Sequence, residues 1–267
     1  MARGIKFFFE KAAYALTTAK ADKVALRRLV DAYNFSGYKR LYLFHIRKTG
    51  GTSLNNMFLS LSGGDPRSLY QDLVNAPRHR IIENDLVFVG WNTFLLSQGD
   101  YFYGFSHASF QDVSVEDDTF TFTCFRDPVR RVISYYNMLM SYRENHVDHS
   151  CMAIEGDWLG ASFDDFLCNL PKQHLLNQLY MFSNAFDVDE ALENVKTLSH
   201  FFFTEDLAEG VAGINQKTGL QLVPVHVRKS DFQTDIRDDS LVRLRKMLDI
   251  EYRFLDAVRS FTPSSDS

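Results

Sequence analysis

Leu41-Tyr42-Leu43-Phe44-His45-Ile46-Arg47-Lys48-Thr49-Gly50-Gly51-Thr52-Ser53-Leu54 is the stretch that decides the fold. The apolar run from Leu41 to Ile46 suits a buried strand. It breaks at Lys48-Thr49-Gly50-Gly51-Thr52-Ser53, after which Leu54, Met57, Phe58 and Leu61 recur at helical spacing. The pattern predicts strand, glycine turn, helix. Backbone N–H groups of such a turn, with those of the helix's first turn, make a pocket for a phosphate or sulfate group. Thr52 or Ser53 is expected to cap the helix and offer a hydroxyl to the anion. Lys48 adds a mobile positive charge at the mouth. The competing reading is a strand–helix connection that merely happens to be rich in glycine. A lysine, two glycines and three hydroxyl residues in one turn favour the anion site.

Outward from this turn, helical and extended patterns alternate. Residues 1–40 read as helical, with one periodic set at Phe8, Phe9, Ala12, Ala13 and Leu16 and a second at Val24, Leu26, Leu29, Val30 and Tyr33. Lys20, Lys23, Arg27 and Arg28 border the second set. A helix packed on the domain with a solvated basic face fits this best, and a peripheral membrane helix is the alternative. Strands are predicted at 86–89, 101–105, 120–125 and 201–204. Asp127-Pro128 opens a helix, with Asp at the N-cap and Pro at the first helical position. Its expected apolar face is Val129, Val132, Ile133, Tyr136 and Met140. Residues 142–160 are polar and irregular and predict a mobile loop over a site. Ser162 caps a further helix that stops before Pro171. Helices are expected at 172–183, 188–198 and 205–218, an extended stretch at 222–227, and one or two amphipathic helices over 238–261. Residues 263–267 form a frayed tail.

Strands alternating with helices predict an α/β fold, with a central, mainly parallel sheet flanked by helices. The length of 267 residues suits one domain, divided into an N-terminal helical segment 1–40, a core 41–262 and the tail. The formal net charge of −5 disfavours a general nucleic-acid binder, so an anionic ligand must be held by local geometry. The three cysteines, Cys124, Cys151 and Cys168, form no disulfide framework, which suits a reducing compartment. No run of about twenty apolar residues is present to span a membrane, and Phe7-Phe8-Phe9 is too short for a signal-peptide core. A cytoplasmic protein without an integral membrane segment is expected; composition sets no oligomeric state.

Parallel strands place their carboxyl ends side by side, where ligands collect. Three predicted strand ends carry polar residues: Lys48 to Ser53, His107, and Arg126. The second anion signal is Cys124-Phe125-Arg126-Asp127-Pro128-Val129-Arg130-Arg131-Val132-Ile133-Ser134. Arg126 can grip a phosphate bidentately, and Arg130 and Ser134 share a helix face. An Arg126–Asp127 salt bridge is the alternative. A triphosphate-binding Walker loop places its Lys after the glycines, whereas Lys48 precedes them, so a Walker-type kinase is disfavoured. His146, His149 and Cys151 sit in a loop-like stretch with no fourth ligand in view, and no metal is predicted. His45 reads as a core or supporting residue. Arg130, Arg131, Arg143 and Lys172 are either receivers of an acidic sugar or solvated surface charge.

The paired motifs, Lys48 to Ser53 after a strand and Arg126-Asp127-Pro128 with Ser134, resemble the sulfotransferases that use 3′-phosphoadenosine 5′-phosphosulfate (PAPS). The nearer resemblance is to the carbohydrate branch that includes heparan sulfate 2-O- and 6-O-sulfotransferases and their bacterial relatives. It covers residues 40–140 well and continues more weakly through 177–180, 203–205 and the C-terminal helix. One departure is Arg47, where the family usually carries Pro. The resemblance implies that Lys48, Thr49, Gly50, Gly51, Thr52 and Ser53 hold the 5′-phosphosulfate and that Arg126 and Ser134 hold the 3′-phosphate. It implies that His107, in His107-Ala108-Ser109-Phe110, is the catalytic base, with Lys48 stabilising charge on the leaving oxygen; from the residues alone, a His after a strand that caps it or hydrogen-bonds the core is the alternative. Asp112 is the second candidate base. PAPS is then the co-substrate, no metal is required, and the partner is a carbohydrate or other hydroxyl-bearing acceptor. An atypical nucleotide-dependent phosphotransferase and a non-catalytic nucleotide- or glycan-binding member of the fold are the rival readings.

Overall fold

The opening run forms strand β1, Arg40–Phe44, and all five of its residues are buried. A strand covered on both faces is what a parallel sheet between two helical layers requires. The computed structural model describes residues 20–224 and 232–261. The periodic set at 8–16, residues 225–227 of the expected extended stretch and the tail at 263–267 lie outside them.

Six strands make one sheet in the order β2-β3-β4-β1-β5-β6. They are β2 (Arg80–Glu83), β3 (Leu86–Gly90), β4 (Tyr103–Ser106), β5 (Thr119–Phe125) and β6 (His200–Phe203), with β1 between β4 and β5. All pairs are parallel except the β2–β3 hairpin at the edge. This is the α/β architecture expected. The edge strand β2 is an addition: it is short, ends in Arg80 and Glu83, and leaves Ile82 exposed, so it lacks the apolar alternation of a half-buried strand.

Side chains of β1 alternate between two cores. Tyr42 and Phe44 point into a cluster with Leu26 and Val30 of helix α1 (Lys20–Asp31) and with Phe254 and Val258 of the C-terminal helix. Leu41 and Leu43 join Leu54, Met57 and Phe58 of α2 (Gly51–Ser60). Phe58 stacks on Tyr103 at 4.0 Å between ring centres, and the Tyr103 hydroxyl donates to Asn55 at 2.8 Å, which fixes the seat of α2 on the sheet. The burial of Leu26 and Val30 agrees with a packed α1.

Helix α3 (Pro66–Asn75) and a short α4 (Thr93–Ser97) precede β4, and α5 (Pro128–Glu144) follows β5. Asp127 caps α5 as expected, accepting from the Arg130 amide at 2.8 Å. The buried face of α5 is rotated from the expected one: it holds Pro128, Arg131, Val132, Tyr135, Tyr136 and Leu139. Residues 142–160 are not one irregular loop. They end α5 and then form a short helix α6 (Met152–Glu155) and a 3₁₀ turn, because Met152 packs on a further apolar cluster around Tyr135, Leu139 and Phe166 and Glu155 is buried against an arginine. Helix α7 (Phe163–Asn169) follows its Ser162 cap. The expected 172–183 helix is broken at Leu176 into α8 (Lys172–Leu175) and α9 (Asn177–Phe182). Then come α10 (Val188–Lys196) and α11 (Leu207–Thr218), the latter after a 3₁₀ turn at Thr204–Asp206. Residues 221–224 join no strand. The C-terminal pair is α12 (Asp238–Met247) and α13 (Asp249–Ser260). No described helix is long and apolar enough to cross a membrane.

Candidate active site

β1, β4, β5 and β6 run parallel, so their carboxyl ends open on one edge. Register then dictates neighbours. Phe44 pairs with Ser106 and with Thr123, which sets His45 beside His107; Phe125 pairs with Phe203, which sets Arg126 beside Thr204.

The turn after β1 is tightly specified. Lys48 sits at φ 70 and Gly50 at φ 91, both left-handed. Glycine adopts that conformation freely; for lysine it is held by surrounding contacts. Those contacts are on the backbone: Arg126 donates from its guanidinium to the Lys48 carbonyl at 3.0 Å, and the Thr204 hydroxyl donates to the Thr49 carbonyl at 3.1 Å. Helix α2 starts at Gly51 with Gly50 as its cap and no side-chain cap bond, so neither Thr52 nor Ser53 caps it. Both lie in the first turn, Thr52 exposed and Ser53 half-buried. A helix's first turn leaves its amides without intrahelical acceptors. A Cβ on Gly51 would overlap the His45 ring, so glycine is required by that close approach. Thr49 is buried, and its hydroxyl donates to the Ile46 carbonyl at 2.9 Å. Its side chain therefore braces the loop, and only its backbone remains to face an anion.

Arg126 is half-buried. Burial draws its pKa down from the ordinary guanidinium value, opposed by nearby Glu205 and Asp127. Among the described residues neither carboxylate forms an ion pair with it, so the expected alternative of an Arg126–Asp127 bridge is not formed; Asp127 caps α5 and accepts from the Tyr252 hydroxyl at 2.9 Å. A partly desolvated cation without a paired carboxylate suits an incoming anion. Ser134 lies half-buried on the second turn of α5, four residues after exposed Arg130.

His107 Nδ1 lies 2.6 Å from the His45 carbonyl oxygen. A carbonyl only accepts, so Nδ1 carries the proton and Nε2 presents a lone pair. Burial and then the charge of Arg47 bring the His107 pKa down to about 4, so the ring is neutral near pH 7. The ring centre of His45 is 4.4 Å away, and its own pKa lies well below the usual value, chiefly through burial. His107 lines a cavity of about 250 Å³ whose other walls are Arg47, Ala108, Ser109, Asp112, Gln173, His174, Asn177 and Tyr180. Asp112, the second candidate base, accepts from the Ser109 hydroxyl at 2.8 Å on this wall.

Sequence reasoning noticed Arg47 only as a departure and missed Glu155, Tyr135 and His174 altogether. The Arg47 guanidinium donates to Glu155 and, at 3.2 Å, to the Tyr135 hydroxyl. Burial opposes its charge, but Tyr135 and Glu155 outweigh that and raise its pKa. His174, also brought to about 4 by burial and Arg47, packs at 4.7 Å on Trp158. Arg131 neither receives a ligand nor sits in solvent: it falls on the inner face of α5, is fully buried and lies 3.8 Å from Glu251. Lys172 lies over the Phe186 ring at 4.1 Å, and Arg143 donates to the Gly160 carbonyl at 3.0 Å. His149 Nδ1 lies 3.0 Å from Cys151 Sγ, and among the described residues no group of three or more His, Cys, Asp or Glu is placed to hold a metal ion.

A larger open cavity of about 500 Å³ lies behind Asp127 against α12 and α13, lined by Arg245, Tyr252 and Arg259 among others. It contains neither His107 nor any residue of the Lys48 loop. The candidate residues gather instead at the carboxyl edge of the sheet: the Lys48–Ser53 turn, tied to Arg126 through the Lys48 carbonyl, and a cavity lined by His107. A family model described as the sulfotransferase family matches residues 31–236. No curated protein matches the chain.

Proposed function

From the chain's membership of the sulfotransferase family, we propose that it moves a sulfuryl group from PAPS to a hydroxyl of an acceptor, a carbohydrate, with His107 as general base. The observation that carries this reading is the single hydrogen bond from the Arg126 guanidinium to the Lys48 carbonyl. It joins two anion-binding elements, so that a ligand with a phosphate at each end is held by both.

The fit of PAPS rests on the chain's own residues. The loop from Lys48 to Ser53, with the first-turn amides of α2, receives the 5′-phosphosulfate. Arg126 and Ser134 are assigned to the 3′-phosphate. PAPS, when bound, supplies a sulfuryl group whose leaving group is a phosphate. The acceptor hydroxyl is a poor nucleophile at neutral pH; His107 Nε2 takes its proton as the new oxygen–sulfur bond forms. Nδ1–H, bonded to the His45 carbonyl, keeps the ring in the required tautomer and spreads the positive charge it gains. Lys48 stabilises charge developing on the leaving oxygen. The carbohydrate reading is supported by the cavity beside His107, where Ser109, Asp112, Gln173, His174 and Asn177 offer convergent hydrogen-bonding groups and Tyr180 a ring face.

Calorimetry with adenosine 3′,5′-bisphosphate (PAP) and adenosine 5′-phosphate (AMP) tests the two-phosphate site. Charge-assisted hydrogen bonds to the 3′-phosphate are expected to make PAP bind roughly ten- to a hundredfold more tightly than AMP. Equal affinities would defeat the reading.

A further inference from the structure

Arg126 leaves β5 just where the sheet ends, since the last β5–β6 pair is Phe125 with Phe203. Its peptide N–H and C=O therefore need partners from elsewhere. One side-chain amide supplies both. Gln178 Oε1 accepts from the Arg126 N–H at 2.8 Å, and Gln178 Nε2 donates to the Arg126 carbonyl at 3.0 Å. The amide acts as one extra rung of sheet, added from α9.

Gln178 is fully buried and is itself held. Its backbone N–H donates to Glu251 Oε1 at 2.8 Å, the Leu179 N–H donates to the same oxygen at 3.3 Å, and Nε2 reaches Oε2 at 3.4 Å. Glu251, fully buried on α13, faces Arg131 of α5. Burial pushes the Glu251 pKa up and draws that of Arg131 down, each opposed by the other's charge. The circuit closes on the proposed clamp: Arg131 is three residues before Ser134 on the same helix. A buried ion pair is a weak source of net stability, and most of the hydrogen bonds on Glu251 run to the segment that sets Arg126. Glu251 also lies beyond the residues that the family model matches.

We propose that Gln178, backed by Glu251 and Arg131, is a positioning residue that fixes the backbone of Arg126 in register with Ser134 and so sets the affinity for the ligand's 3′-phosphate. The inference rests on the two-phosphate reading of the site. Gln178→Met keeps the volume and removes both bonds to Arg126. Its calorimetric Kd for PAP is expected to rise on the order of tenfold while that for AMP stays within about twofold. A folding defect alone would weaken both ligands together. A folded Gln178→Met that keeps the wild-type PAP-to-AMP ratio would overturn the proposal.

Hydrogen exchange on the wild-type chain gives an independent readout should the variant fail to fold. PAP is expected to protect the Arg126, Gln178 and Leu179 amides together, and AMP to leave them unchanged. Protection at Arg126 without Gln178 and Leu179 would equally overturn it. A wild-type chain that does not distinguish PAP from AMP defeats the functional reading, and this inference with it. A wild type that does, with Gln178→Met unaltered, defeats the positioning role alone.

Discussion

Lys48→Ala should lower turnover by on the order of a hundred- to a thousandfold, the usual effect of removing one preorganised stabiliser of developing charge. The loop around it should survive the change. Two hydrogen bonds that brace this backbone run to carbonyls, from Arg126 to Lys48 and from Thr204 to Thr49, and Lys48→Ala leaves both in place. Alanine meets the same backbone strain at φ 70 as lysine does, so the loop's path is not newly disfavoured. PAP affinity should therefore fall far less than turnover. Initial rates with labelled PAPS, set beside calorimetry with PAP, separate the two quantities. Turnover within about threefold of wild type would remove Lys48 from the chemistry. Lys48→Arg keeps the charge but spreads it over a planar fork and should recover only part of the rate.

His107→Ala should lose turnover by roughly a hundred- to ten-thousandfold while PAP affinity is kept, because a general base acts on the acceptor's proton. Unchanged turnover would pass the role to Asp112 or to His174, both in the same cavity. The pH dependence carries a second signature. With a folded pKa of about 4 against about 6.5 when unfolded, His107 stays neutral in the free enzyme well below pH 6. The wild-type rate should thus hold from pH 8 down to about 6 instead of falling through 6.5. Stability has a definite sign as well. Between these two pKa values the unfolded chain binds more protons than the native one, so stability rises with pH across that window. It is fully present above about pH 6.5 and is lost as pH falls towards 4. In His107→Ala the decline measured by denaturant titration should be shallower. His45, His174 and His200, also lowered by burial, sustain what remains.

Local signals were read where they are local. The apolar run, the two glycines and the helical spacing after them gave the strand–turn–helix, and Asp127-Pro128 gave the start of α5, because each pattern is a backbone preference acting over a few residues. The same signals erred where two residues compete for one task. Thr52 and Ser53 looked like caps, but the left-handed Gly50 takes that position and draws the helix start back to Gly51. Arg131, like Arg130, reads in the sequence as either a receiver of an acidic sugar or a solvated surface charge. The spacing 128, 131, 135, 139 placed it on the inner face, and the buried Glu251 together with the His174 and Leu175 carbonyls makes an arginine acceptable there.

By itself, then, the sequence determined an α/β sheet with a strand–glycine turn–helix at the end of its first strand, since hydrophobic period and turn chemistry are written in neighbouring residues. Tertiary structure alone decided what that loop meets. Arg47 is paired with Glu155 across 108 residues, Arg126 is fixed by Gln178 across 52, and Gln178 by Glu251 across 73. Such partners are chosen by strand register and helix packing, which bring distant side chains to one edge and leave no trace in the spacing of either.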